Sequence, residues 1–414
     1  MANILDYLAW RGDIPMLIDG FNEVDNLILA KLVHINYSGI LTGPDTDGSI
    51  PLREAAHAYF FMRGEAGEDM GAVVPGDIPN LLRLAAESVR FGNMRVGAYE
   101  EILDEELQEQ FAAFCAELCD GTVYVAFRGT DDTLVGWKED LNMGVLETIP
   151  SQRQALDYLQ RIAARYPERP LRIGGHSKGG NLAVYSAVYA PEAVQDRIIQ
   201  IYNNDGPGFR SDLSELAAYQ RIASRIQTIK PQFSIVGQML EHSQSVTVVH
   251  SVAGSGIGQH NGFTWEVYGR EFVHLPDFSR GGKRTEETLE NVMSELSIPQ
   301  REAFVEAFYE VLTGTGARTV SDLNEEKLKS AAGMLKTYRD LDDETRRALN
   351  AAIMLLLKRS AKSFMQDVRD TQGKNVDGLL RKAEDFLRRF FDAGEEKPDS
   401  TEKPDGTEET DPGK

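Results

Sequence analysis

The sequence predicts an α/β fold with a mostly parallel sheet, followed by a C-terminal helical unit and a disordered acidic tail. Three observations carry this reading. Short β-branched runs alternate with helical segments between residues 123 and 252, the pattern that crossovers in a parallel sheet require. The strand-like Leu171-Arg172-Ile173 passes through a glycine-flanked serine straight into the helix-like Asn181-Leu182-Ala183-Val184. After residue 282 the strand signals stop, leaving stripes of period 3.6 and then a charged end. The 414 residues suffice for an α/β domain of about 250–300 residues and a smaller unit. The expected divisions are 1–281 for the α/β domain, 282–391 for the helical unit and 392–414 for the tail.

Residues 18–38 read as a turn followed by a buried helix, because Asn26-Leu27-Ile28-Leu29-Ala30-Lys31-Leu32-Val33-His34 carries apolar residues on three sides. Leu81, Leu82, Leu84 and Ala85 mark a second helix over 79–90. From 110 to 127 the period changes to two, and Cys119-Asp120-Gly121 separates two apolar runs, which signals a hairpin. Phe111, Phe114, Cys115 and Leu118 also fit helical spacing, so a helix on the first arm stays open. An amphipathic helix over 151–166 leads to a strand at 171–175, and the helix after it runs to about Tyr189. Residues 197–203, 225–230 and 245–252 supply later strands. Helical stripes follow at 299–312, 324–341, 343–364 and 375–391, and there is no internal repeat.

With 65 acidic and 44 basic residues the net charge is −21, opposite to what a nucleic-acid binder needs to replace counterions. The tail holds nine acids, three lysines and three prolines in 23 residues, with no large apolar side chain to bury. Cys115 and Cys119 are the only cysteines, no charged-then-apolar leader opens the sequence, and a cytoplasmic protein is expected. No His or further Cys completes a metal set around them, so neither metal nor cofactor is expected. The longest apolar run, 351–357, is seven residues, far short of the roughly 20 that span a bilayer. Arg381, Lys382, Arg388 and Arg389 beside Phe386, Leu387, Phe390 and Phe391 would suit a membrane-surface helix, but the acidic tail beyond opposes anionic lipid.

The chemistry centres on Gly174-Gly175-His176-Ser177-Lys178-Gly179-Gly180, a nucleophile elbow. A serine hydroxyl is a poor nucleophile until a base takes its proton, and a sharp strand-to-helix turn exposes it to one. The competing reading is a glycine-rich phosphate cradle at a helix N-terminus. Triad hydrolases of this kind place the acid and then the base after later strands. His260, in Gly254-Ser255-Gly256-Ile257-Gly258-Gln259-His260, follows the last strand on a glycine-rich loop and is the candidate base; His242 and His274 are its rivals. Asp205, at the end of the 197–203 strand, is the candidate acid, with Glu241 as competitor and a turn-forming role as the plainer alternative.

Phe127-Arg128-Gly129-Thr130 at a strand end, then Trp137 and Asp140, then Gly175-His176-Ser177-Lys178-Gly179-Gly180, together resemble the class 3 lipases, an α/β-hydrolase family, over residues 100–265. Closer still is a lipase-like bacterial subgroup with the set Phe21-Asn22-Glu23-Val24-Asp25, Gly136-Trp137-Lys138-Glu139-Asp140, Asp205-Gly206-Pro207-Gly208-Phe209 and Gln259-His260. The resemblance implies an oxyanion hole made by Thr130 and the N–H of Lys178, donors of a kind each worth about 10²–10³ in rate. Two departures stand out. Ser234 occupies the place of the lipase acid, so the acid is expected to have moved to Asp205. Lys178 replaces an apolar residue, which puts a cation near the site.

The expected function is a serine hydrolase that cleaves a small-molecule or lipid acyl ester through an acyl-enzyme on Ser177. The alternative keeps the fold without turnover, as a binding or scaffolding protein whose C-terminal helices dock a partner.

Overall fold

The computed structural model describes residues 1–240, 245–254, 256–283, 296–325, 327–342, 346 and 350. The chain divides into Met1–Ser363 and Phe364–Lys414, and all that follows concerns the first. The stripe at 375–391, the basic aromatic cluster within it, the tail and nearly all of 343–364 lie outside the described residues.

Among the described residues, nine strands form one sheet in sequence order. β1 (Ser49–Pro51), β2 (Arg95–Asp104), β3 (Glu109–Glu117) and β4 (Val123–Phe127) pair antiparallel. From β4 onward the pairing is parallel, through β5 (Leu171–His176), β6 (Ile198–Asn204), β7 (Ile226–Pro231) and β8 (Val246–Val249). The short strand His274–Leu275 closes the far edge antiparallel. This is the α/β-hydrolase architecture that the resemblance implied, with a five-strand parallel block extended by an antiparallel arm.

The period-two stretch is the hairpin of β3 and β4, not a helix, and Gly121 turns it at φ 87°. Its alternation serves two covered faces. Ala112, Phe114 and Ala116 join the core under α1 (Ile4–Arg11), α2 (Glu23–Leu32), α3 (Leu52–Arg63) and α4 (Ile78–Glu87). Phe111, Ala113 and Cys115 join the core under α6 (Pro150–Arg165) and α7 (Lys178–Tyr189). α2 is buried along all ten residues, because it lies between the sheet and α4. Asn22 and Asp25 close a capping box at its start, and Asp25 also pairs with the buried Arg90. The Phe21-to-Asp25 motif is therefore a helix start. Asp25 and Arg90 are both fully buried, so each neutralises a charge the other would leave stranded.

The expected division between residues 281 and 282 is not where the contacts divide the chain. The helix Ile298–Thr313 packs on α5 (Leu134–Asn142), with an ion pair from Lys138 to Glu306 at 2.8 Å. Residues 318–321 then run beside the loop before α5. Leu134 N–H donates to Arg318 O at 2.8 Å, Val320 N–H to Asp132 O at 2.9 Å, and Ser321 N–H to Asp132 Oδ2 at 3.1 Å. Amphipathic stripes announce helices but not what those helices cover, which is why the sequence suggested a separate unit. Among the described residues no helix is long and apolar enough to cross a membrane. Cys115 is buried, Cys119 is exposed, and both are free.

Candidate active site

Ser177 joins β5 to α7 with φ 59° and ψ −133°, a left-handed backbone that non-glycine residues seldom adopt. Crowding explains the flanking glycines. A Cβ on Gly175 would stand 2.2 Å from the Gly179 carbonyl carbon, and one on Gly179 would stand 2.2 Å from Phe127 O. The turn is tied to the next strand by Ser177 N–H donating to Asn204 O at 3.0 Å. Beneath it, Asn204 Nδ2 donates to Gly175 O at 2.8 Å, and Asn26 of α2 donates to Asn204 Oδ1 at 2.9 Å. The serine stands at the N-terminus of a twelve-residue helix, where unpaired N–H groups and the helix dipole favour negative charge.

Asp205 follows β6 at φ 51°, and its N–H donates to Ile229 O at 2.8 Å, so the carboxylate is aimed by the strand rather than left on a mobile turn. It is fully buried. Its Oδ2 accepts from His260 Nδ1 at 2.7 Å, and its Oδ1 accepts from Ser234 Oγ at 2.5 Å. The two predicted residues are thus brought together. Ser234, at the place where the resemblance would put the acid, donates instead to Asp205. With Nδ1–H engaged by a carboxylate, the imidazole keeps Nε2 as its free, basic nitrogen. That nitrogen and the Ser177 hydroxyl have no hydrogen-bond partner among the described residues. Catalytic hydrogen bonds are often open before substrate arrives.

The His260 segment is pinned at several points. Gln259 accepts from Phe233 N–H at 2.9 Å through its side chain and from Trp265 Nε1–H at 2.8 Å through its carbonyl. His176, the residue before Ser177, reaches His260 O through Nε2 at 2.7 Å, and the two imidazole rings lie 4.5 Å apart. Lys31 of α2 stands 3.0 Å from the other nitrogen of His176. Burial pushes Lys31 down to about 7, with the Asp205 charge opposing. Burial, then the charge of Lys31, holds His176 well below its ordinary value, so its ring is neutral at pH 7.

On the other side of the serine, Thr130 Oγ1–H donates to Asp140 Oδ2 at 2.5 Å. Gly129 approaches so closely that a Cβ there would meet Ser177 Cβ at 3.2 Å. Burial pushes Asp140 up to about 6, with Lys178 and the Thr130 hydroxyl pulling it back. Lys178 does not present a cation to the site as the sequence suggested. Its Nζ turns inward and donates at 2.7 Å each to Glu139 Oε2, Gln110 O and Gln110 Oε1, and neither Lys178 nor Glu139 is exposed beyond 1% of its side chain. What remains toward the serine is the backbone of Lys178 at the first position of α7.

Of the two rival histidines, His274 pairs with Glu23 at 2.8 Å. His242 and Glu241 lie outside the described residues. Sequence reasoning missed Asn26, Lys31 and Glu139. The available signal for Lys31 was the one cation inside a helix apolar on three sides. Among the described residues no group of three or more His, Cys, Asp or Glu is disposed to hold a metal ion.

A model of the Mbeg1-like family matches residues 85–310. Among solved structures the chain is similar to a mutant form of MDLA from Penicillium cyclopium, at 12% identity and a TM-score of 0.33 over 63% of this chain and 87% of that one. It is similar to a triacylglycerol lipase from Penicillium expansum, at 13% identity and a TM-score of 0.30 over 57% and 87%. A third is a Rhizomucor miehei lipase propeptide complex, at 14% identity and a TM-score of 0.29 over 53% and 78%. No curated protein matches.

Proposed function

The chain belongs to the Mbeg1-like family, and from that premise we propose that it is a cytoplasmic serine hydrolase that cleaves acyl esters, of small molecules or lipids, through an acyl-enzyme on Ser177. The observation that carries this is the 2.7 Å hydrogen bond between Asp205 and His260, formed by residues 55 positions apart and set beside a strained serine elbow. In this reading Ser177 Oγ attacks the ester carbonyl while His260 Nε2 takes its proton, and Asp205 stabilises the imidazolium so formed. The oxyanion is held by Thr130 and by the N–H of Lys178. Collapse of the tetrahedral intermediate expels the alcohol, which takes its proton from His260. Water, deprotonated by the same ring, then releases the acid and regenerates the serine.

The test uses a fluorophosphonate probe and a p-nitrophenyl ester on the full chain. Wild type is expected to label and to hydrolyse, and Ser177→Ala to do neither while keeping the wild-type melting temperature, since only a hydroxyl is lost. Equal labelling of the two proteins would remove Ser177 from the chemistry. A wild type that neither labels nor hydrolyses would favour the binding or scaffolding alternative.

A further inference from the structure

We infer that Lys31 is a positioning residue for the catalytic base, acting through His176 on the backbone of His260; the inference rests on the hydrolase reading above.

The contacts form one line. Lys31 Nζ lies 3.0 Å from His176 Nδ1, and His176 Nε2 lies 2.7 Å from His260 O. The His260 carbonyl can only accept, so the single ring proton of His176 sits on Nε2, and Nδ1 is left to accept from Lys31 Nζ. That proton is donated to the His260 carbonyl. With the opposite tautomer a lone pair would face the carbonyl oxygen, and the contact would repel. Lys31 therefore favours the form of His176 that holds the backbone of His260. The same residue's ring is held by Asp205 at Nδ1, which leaves two independent supports for one imidazole. His176 is itself the residue before the serine, so nucleophile and base are anchored to a shared ring.

The choice of lysine argues against simple space filling. Lys31 is 2% exposed, on a helix whose every residue is buried, and its side chain touches the segment after the base. A Cβ on Gly262 would lie 3.2 Å from Lys31 Cε. A buried ammonium without an adjacent carboxylate is costly, and a methionine would fill the same volume without that cost. Burial does push Lys31 down to about 7, against the pull of the Asp205 charge. Around it lie His34 at the end of its own helix, also held well below its ordinary value, His176 from β5 and Asp205 after β6. Asp205 is the one counter-charge among these, and it is already committed to His260 and Ser234.

The experiment compares wild type, Lys31→Met, His176→Leu, His176→Gln and the Lys31→Met/His176→Leu double variant, reading fluorophosphonate labelling rate, kcat and KM for a p-nitrophenyl ester, and melting temperature. Lys31→Met is expected to lower kcat and labelling by up to about 10²-fold, the scale of a misplaced catalytic group, with KM unchanged and melting temperature equal or higher. A merely structural role would lower the melting temperature instead. His176→Leu should match it, and the double variant should lose no more than either single one. His176→Gln, whose amide accepts on one side and donates on the other, should recover most of the rate. Wild-type kinetics in Lys31→Met, additive losses in the double variant, or equal rates for His176→Gln and His176→Leu would each overturn the inference. Should Lys31→Met fail to fold, the comparison of His176→Gln with His176→Leu decides. If wild type itself fails to label, it is the hydrolase reading that fails, and the inference falls with it.

Discussion

The two sides of Ser177 are built by opposite means. On the base side, Asp205 and His260 sit in segments after two different strands and meet through one hydrogen bond, with Ser234, His176 and Gln259 each contributing one to three more. On the proposed oxyanion side, a buried ion pair between Lys178 and Glu139 and two bonds to Gln110 tie the start of α7 to α5 and β3, while bonds from residues 318–321 tie the loop before α5 to the C-terminal arm. Under the proposed reading the base must exchange protons during turnover, and it is held by neutral or single charged hydrogen bonds from separate segments rather than by a buried ion pair. An oxyanion hole acts only if its donors are fixed before the charge develops, and under the proposed reading the ties of that side to the core would meet this requirement. The expected consequence is a separation of phenotypes: damage on the base side costs rate, and damage on the oxyanion side costs stability.

The largest effect tests the base side. Asp205→Asn keeps the shape but presents the wrong group to His260 Nδ1, and kcat is expected to fall by up to about 10⁴ with little change in melting temperature. A loss of stability in step with rate would erase the contrast. On the oxyanion side, Lys178→Met leaves the buried Glu139 without its cation, held only by the N–H groups of Gln110 and Ser151, with an expected cost of about 3–5 kcal/mol seen as a lowered melting temperature. Adding Glu139→Gln should recover most of that loss. If the single variant keeps its stability and loses only activity, the pair belongs to the chemistry after all.

The smallest effect is a pH dependence. Lys31 ordinarily titrates at 10.5 and here is pushed to about 7 by burial. Between those values the unfolded chain holds a proton that the folded chain has released, so the stability of wild type rises with pH across that window. The penalty is fully present below about pH 7 and absent above 10.5. Lys31→Met removes it, so its advantage in melting temperature should be greatest near pH 7 and shrink toward pH 10. A difference independent of pH would show that Lys31 is not held in that depressed state.

What was legible follows from range. The elbow, the hairpin and the helix over 151–166 are written in adjacent residues, and the structure reproduces them. The pairing of Asp205 with His260 was reachable because strand order constrains where an acid and a base stand. β2 was not seen, because the register shifts between Gly97 and Glu100, with Ala98 at φ 55°, and the shift interrupts the alternation that marks a strand. Lys178 was misplaced for a different reason. Its partners Gln110 and Glu139 lie 68 and 39 residues away, and no spacing rule links them. Glu139 stands next to the motif aspartate and was passed over. The role of residues 318–321 was equally hidden, since a strap of main-chain hydrogen bonds leaves no side-chain pattern.

The backbone angle at Ser177 also limits which substitutions remain open to the lineage. Threonine carries the same hydroxyl, but a β-branched side chain at φ 59° is a genuine outlier, with a strain of about 1–3 kcal/mol. Alanine, glycine and cysteine add no branch at Cβ. If Ser177 is the nucleophile proposed above, descendants of this protein can lose it or exchange its oxygen for sulfur in one substitution, whereas a threonine there would first require the turn to be rebuilt.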